Sequence, residues 1–391
     1  MRSIEDLSFE GKTVFLRVDF NVPLDNKQAI RNDVRIQAAI PTIRFLLDRG
    51  ARLIVASHLG RPKGKIVPEL GMKPVARRLG ELIGTEVFLA PSVIGEDVNA
   101  LKASLKNGRI LLLENLRFEP GEKANDPAFA RELARNVDIF VNDAFGACHR
   151  AHASVVGLPA LVEQKAAGFL LGKEVKFLDR VIRSPEAPVV AILGGAKVSD
   201  KIPVIRNLLQ KADALLIGGA MAYTFAAAEG RDVGRSLVET DMLETALELL
   251  ELSKIHDAFM HFPIDHVTSP GIDAAGDVTI IRGYPIPADR MGLDIGPETI
   301  ADYTAVLAEA RTIFWNGPMG VFEKSEFSQG TFQIAQAVAD SSALSIIGGG
   351  DSVAAVVQSG LSDHISHIST GGGASLEYIA NENLPGLKAL E

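Results

Sequence analysis

The sequence predicts an α/β protein: two doubly wound, mostly parallel-sheet domains facing a cleft and joined by a helix. Three observations carry this reading. Short, continuous Val/Ile/Leu runs alternate with segments of helical spacing along the whole chain, as expected for parallel strands covered on both faces. The 391 residues, 47% of them hydrophobic, exceed the size at which a single core keeps growing, so two domains are expected. Four glycine clusters, Gly194/Gly195, Gly218/Gly219, 348–350 and 371–373, each follow an apolar run in the second half. A strand that ends in glycines and opens into a helix brings bare N–H groups to an anion.

In chain order, strands are expected at 13–18, 52–56, 110–113 and 139–142 in the first half. The second half repeats them at 189–193, 214–217, 313–315, 344–347 and 365–369. Ile36, Ile40, Ile43 and Leu47 mark a helix that begins at Arg35, and Leu243, Leu247 and Leu250 mark another. After the first strand come Asp19 and Asn21. They suit a turn, their commonest local role, or a substrate hydroxyl. His58, a Gly60 turn and Arg61 follow the strand ending at Ala56, Arg117 follows the strand ending at Leu113, and Arg150 follows the strand around Asn142. A single one of these arginines reads as surface; three at strand ends outline an anion site, because the guanidinium fork matches carboxylate and phosphate oxygens. His58, His149 and His152 lack a ligand set at usable spacing and read as hydrogen-bonding or structural groups.

A boundary falls at 171–187, where LLGKEVKFLDRVI reads as an amphipathic helix and SPEAP as a turn that ends it. It separates domain 1–170 from domain 188–375. In ILGGAKVSDKIPVI, Ser199 is the expected N-cap, Pro203 fits the first turn, and Lys197 and Lys201 stand near the helix start, as phosphate ligands or as solvated lysines. In IIGGGDSVAAVV, Asp351 is either an N-cap or a carboxylate for Mg²⁺ bridging nucleotide phosphates. WNGPMGVFE delivers Asn316, Gly317, Pro318 and Glu323 after a strand. No Walker motif, G-x-G-x-x-G fingerprint or protein-kinase catalytic loop is present.

The net charge of −9 hides an asymmetry: residues 1–185 hold 28 Lys+Arg against 22 Asp+Glu, and residues 186–391 hold 12 against 27. A basic half attracts a small acidic substrate, while an acidic, glycine-rich half still holds a nucleotide through backbone dipoles and a metal ion. The single cysteine, Cys148, excludes an intrachain disulfide and Cys-rich zinc sites. The acidic first residues without an apolar run, and the lack of about 18 uninterrupted apolar residues, lead us to expect a soluble cytoplasmic protein with no membrane partner. Nucleic acid is not expected as a partner either.

The motifs VDFN, DVRI, SHLGRP, ENLRF, NDAFGACHRAHAS, GGAKVSDK, IGGAMAYTF, WNGPMGVFE, GGGDS and STGGGAS, in this order over essentially the whole chain, resemble the phosphoglycerate kinase family. Two departures are local: Ala220 stands where many members have a third glycine, and Ala147-Cys148 replaces a common Thr-Ala. Neither removes a charged group. The resemblance implies reversible phosphoryl transfer from 1,3-bisphosphoglycerate to MgADP, giving 3-phosphoglycerate and MgATP in a monomer. It implies that the glycerate is bound by Asp19, Asn21, Arg35, His58, Arg61, Arg117 and Arg150. The nucleotide then falls to Gly195, Lys197, Lys201, Gly219, Asn316, Glu323, Gly349, Gly350, Asp351 and Ser352, with Asp351 on the metal and 376–391 packing back on the first domain. Direct in-line transfer follows, with Arg35, Lys201, Gly372 and Gly373 as catalytic groups, no covalent phosphoenzyme and hinge-bending closure. Two alternatives are another two-domain kinase acting on a different carboxylate and a non-catalytic anion-binding scaffold.

Overall fold

The computed structural model describes residues 1–274 and 276–391. The chain divides into two compact units, Met1–Val175 with Asn383–Glu391, and Lys176–Glu382.

The first unit is built on a six-stranded parallel sheet formed by β1 (Thr13–Arg17), β2 (Arg52–Ala56), β3 (Val87–Leu89), β4 (Ile110–Leu112), β5 (Ile139–Asn142) and β6 (Gln164–Ala167). Their order is β3-β4-β2-β1-β5-β6. Every residue of β1 and β5 is buried, which explains why these strands read as unbroken apolar runs. On one face Val14 and Leu16 join Val55 and Val141 in the main cluster with Ile36 and Ile43 of the helix Val34–Asp48. On the other, Phe15 stacks on Phe140 with centroids 6.2 Å apart. From β1 the chain winds to one side and from β5 to the other. The loops after these two strands therefore diverge and leave room for a ligand at their carboxyl ends.

The second unit repeats this plan. Its parallel sheet takes β7 (Val189–Leu193), β8 (Ala214–Ile217) and β9 (Phe259–His261) on one side, and β13 (Thr312–Asn316), β14 (Leu344–Gly348) and β15 (His367–Ile368) on the other, in the order β15-β14-β13-β7-β8-β9. Here the switch lies between β7 and β13. Between the two groups, β10 (Asp265–Ser269), β11 (Thr279–Arg282) and β12 (Met291–Ile295) form a small antiparallel sheet, β11-β10-β12, that the sequence reading did not foresee. Trp315 is fully buried among Ile192, Ile313 and Ile347, and its indole N–H donates to Gly317 O at 2.7 Å.

The helix Phe169–Ile182 follows β6, and its first turn is tied to the residue after β5 and to the helix Val34–Asp48: Asp143 Oδ1 accepts from Leu171 N and Thr42 Oγ1 from Phe169 N, each at 3.0 Å. It stops at Ile182, just before the SPEAP turn. Gly386 N donates to Cys148 O at 2.9 Å, which ties the last residues into the first unit. No helix among the described residues is long and apolar enough to cross a membrane.

Candidate active site

The loops after β1, β2, β4 and β5 gather cationic side chains. Arg35, on the first turn of its helix, donates to Asp19 Oδ2 at 3.1 Å and to Asn21 O at 3.3 Å. Asn21 Oδ1 accepts from Gly60 N at 2.8 Å, and Arg117 donates to Gly60 O at 2.7 Å, so three loops are tied together by residues the sequence had singled out. Arg117 Nε is buried without a partner. Burial and the neighbouring Arg17 and Arg61 lower the Arg117 pKa. His58 is buried, and desolvation pushes its pKa down to about 3, with Arg17, Arg117 and Arg35 opposing and Asp19 favouring its charge. His152 is pushed down to about 4 by burial and by Arg17, Arg117 and Arg150. Arg61 and Arg150 are exposed on the same loops. A cluster in which cations depress one another's protonation is short of negative charge, and an anion supplies it.

Sequence reasoning missed Arg17, the last residue of β1. It is 1% exposed, donates from Nε to Ser154 Oγ at 2.9 Å and from a terminal nitrogen to Val18 O, and its other terminal nitrogen lies 3.2 Å from His58 Nδ1. Its signal was present: an arginine inside the unbroken run TVFLRV has no place in a doubly covered strand unless it is used.

In the second unit, the strand ends enclose a cavity of about 530 Å³ lined by Gly195, Lys197, Asp200, Lys201, Asn316, 349–352 and 372–373. A second cavity of about 280 Å³ shares Gly195 and Asp351 with it and continues past Gly219, Tyr223, Leu237, Met291, Leu293 and Glu323. The first is glycine-walled and the more polar of the two, as phosphates require; the second is the more apolar, as a planar base requires. Every nucleotide residue expected from the sequence lines one cavity or both. Lys201 is 9% exposed and hydrogen-bonds through Nζ to Asn316 Oδ1, while Asn316 Nδ2 donates to Gly348 O at 2.8 Å. Desolvation lowers the Lys201 pKa to about 8 against the pull of Asp200 and Asp351. Lys197 is exposed.

Two local readings are corrected. Ser199 is not an N-cap: the helix runs Ile202–Leu208, and Ser199 Oγ donates to Glu239 Oε1 at 2.6 Å instead. Asp351 is not an N-cap either; Gly349 holds that place, and the Asp351 carboxylate stands exposed in the first turn of Gly350–Gln358. Ser352 is buried and accepts from Gly317 N at 2.5 Å, which locks the loop after β13.

The glycines also divide into two groups. A Cβ on Gly219 would lie 2.5 Å from both N and O of Gly195, so this residue lets two strand-end turns touch. A Cβ on Gly195, Gly350, Gly372 or Gly373 would meet nothing within 4 Å. These four face open space, and Gly372 and Gly373 begin the helix Gly373–Asn381.

Comparison with known proteins identifies the family. The family model described as phosphoglycerate kinase matches residues 4–382. Among curated relatives, the phosphoglycerate kinase of Anaeromyxobacter dehalogenans is 53% identical over 100% of this chain and 99% of its own, and that of Chlorobium phaeobacteroides is 51% identical with the same coverage. Among solved structures, the phosphoglycerate kinase of Coxiella burnetii superposes with a TM-score of 0.91 at 40% identity, covering 99% of this chain and 98% of that one. The Pyrococcus horikoshii enzyme gives 0.83 at 36% identity, covering 100% and 98%. With two parallel sheets that each carry a ligand-sized set of groups on their strand ends, and with relatives matching end to end, the chain belongs to the phosphoglycerate kinase family.

Proposed function

We propose that this chain transfers the acyl phosphate of 1,3-bisphosphoglycerate to MgADP and runs the reverse reaction, with the glycerate held by the first unit and the nucleotide by the second. The observation that carries this is the division of chemistry. A cluster of arginines with a partnerless buried Nε stands on one set of strand ends, and a glycine-walled cavity with a buried lysine on the other.

Arg61, Arg117 and Arg150 hold the 3-phosphate and carboxyl oxygens, and Asp19, Asn21 and His58 hold the hydroxyl. Backbone N–H groups of Gly195, 349–350 and the turn at Gly372 and Gly373 hold nucleotide phosphates, with Lys197 as a mobile charge at the rim. Gly219 and Ser352 support these walls, and Glu323, in the lining of the second cavity, accepts from the ribose. A β-phosphate oxygen of ADP attacks phosphorus in line as the bond to the acyl oxygen breaks, and 3-phosphoglycerate leaves as a carboxylate. The leaving group is a weak base, so no histidine transfers a proton. Arg35 and Lys201 neutralise the equatorial oxygens of the transferring group.

Mg²⁺ enters as part of the metal–nucleotide substrate. The donor set fits that form: no group of three or more His, Cys, Asp or Glu among the described residues could hold an ion, whereas Asp351 offers one carboxylate to a cation that prefers one or two plus phosphate oxygens. When bound, the ion neutralises phosphate charge.

Transfer needs ligands held by different units to meet with water excluded, and hinge bending about 171–187 and the returning 376–391 segment is the motion we propose for it. Small-angle scattering that shows no compaction with both substrates contradicts it. Since one chain supplies every named group, we take the working form to be a monomer, in the cytoplasm, for which sedimentation is expected to return the chain mass of 41.8 kDa. A coupled assay of the purified chain with 3-phosphoglycerate and MgATP tests the whole reading. Turnover with this acid and not with other carboxylates supports it, and no turnover refutes it.

A further inference from the structure

We propose that Glu122 and Ser154 are positioning residues for the glycerate half of the reaction: acting through Arg17, they hold His58 as the neutral tautomer protonated on Nε2. This rests on the assignment of the glycerate to the first unit.

Glu122, on the short helix Pro120–Ala124, is fully buried, and Ser154 engages both of its oxygens. Ser154 Oγ donates to Oε1 at 2.6 Å and Ser154 N donates to Oε2 at 2.9 Å. The serine hydroxyl has one proton; once this is given to Glu122, only lone pairs remain for Arg17 Nε–H at 2.9 Å. Arg17 is then held at three corners, by Ser154, by Val18 O and by the ring of His58, 3.2 Å away at Nδ1. A guanidinium carries donors only, so Nδ1 must be the acceptor and the ring proton must sit on Nε2. One neighbour favours the opposite arrangement. Asp19 Oδ1 lies 3.8 Å from His58 Nδ1 and would draw a proton there. Arg17 is closer, and the Asp19 carboxylate is already engaged by Arg35 at 3.1 Å and by Asn21 N at 3.2 Å. The burial and surrounding arginines that depress the His58 pKa keep the ring neutral, so tautomer rather than charge is what the relay decides. Without the Ser154 hydroxyl, Arg17 turns to Glu122 directly, and Asp19 recovers Nδ1–H.

The test uses the full chain with ¹⁵N-labelled histidine, the His58 signals being assigned by their loss in His58→Gln. The wild type is expected to show Nδ1 unprotonated and Nε2 protonated at neutral pH, with a change on adding 3-phosphoglycerate. Ser154→Ala is expected to move the proton towards Nδ1 and to raise KM for 3-phosphoglycerate about tenfold, with KM for MgATP and the melting temperature little changed. Ser154→Thr, which keeps the hydroxyl, restores both. A wild-type proton on Nδ1, or an Ser154→Ala variant with the tautomer and KM of the wild type, overturns the relay. His58 signals indifferent to 3-phosphoglycerate overturn the substrate assignment and the relay with it.

Discussion

Lys201 gives the account a signature in pH. Its ammonium is drawn out of water, and the folded protein lowers its pKa from 10.5 to about 8. Nucleotide phosphates placed beside it favour the charged form, so above pH 8 binding takes up a proton. With a pKa of about 8, only about 3% of the free protein carries the ammonium at pH 9.5, against about 90% at pH 7. MgADP affinity is therefore expected to fall about 30-fold between these values, or about 2 kcal/mol. Asp200 and Asp351 face the amine and favour its charge, and burial outweighs them. Titration calorimetry at both pH values, in two buffers of different ionisation enthalpy, reads affinity and proton uptake together. Lys201→Gln should bind more weakly at pH 7 and show neither slope nor uptake. The same linkage acts on folding: the unfolded lysine keeps its proton up to about 10.5, so the burial penalty present at pH 7 is relieved as pH rises from about 8 to 10.5. A flat affinity in the wild type, or an equal slope in Lys201→Gln, refutes the placement of this amine on the phosphates.

Three further outcomes follow from the geometry. Arg35→Ala should lower kcat by two orders of magnitude or more in the coupled assay, and near-normal turnover would remove it from the transition state. Asp351→Ala should raise the Mg²⁺ concentration needed for half-maximal rate about tenfold while leaving KM for 3-phosphoglycerate unchanged. Gly219→Ala places a Cβ 2.5 Å from the Gly195 backbone at φ +66°. A cost of about 2–4 kcal/mol is expected from strain and overpacking together, read as a lower midpoint in denaturant unfolding.

The sequence exposed those parts of the fold whose physics is local. The central strands, buried on both faces, left unbroken apolar runs, and the glycine turns left their clusters. The edge strands β3, β6 and β9 are short and half-exposed, and β10, written DHVTS, has no apolar run at all. Their existence depends on pairing partners distant in the chain. In the site, residues that leave strand ends as charges were readable one at a time. Arg17 was not, because it lies inside the strand, and Glu122 and Ser154 were not, because their meaning comes from each other across 32 residues. The glycine clusters promised four phosphate turns, yet Gly219 serves backbone contact while Gly195 opens to the cavity. Composition cannot separate those two uses.

In the proposed mechanism the two ligands are held by different units. Amide chemical-shift mapping, with 3-phosphoglycerate and MgADP added separately, tests it most directly. The acid is expected to move Asn21, Gly60, Arg117 and Arg150, and the nucleotide Gly195, Lys201, Gly350 and Gly373. Shifts from both ligands confined to one of these groups would contradict it.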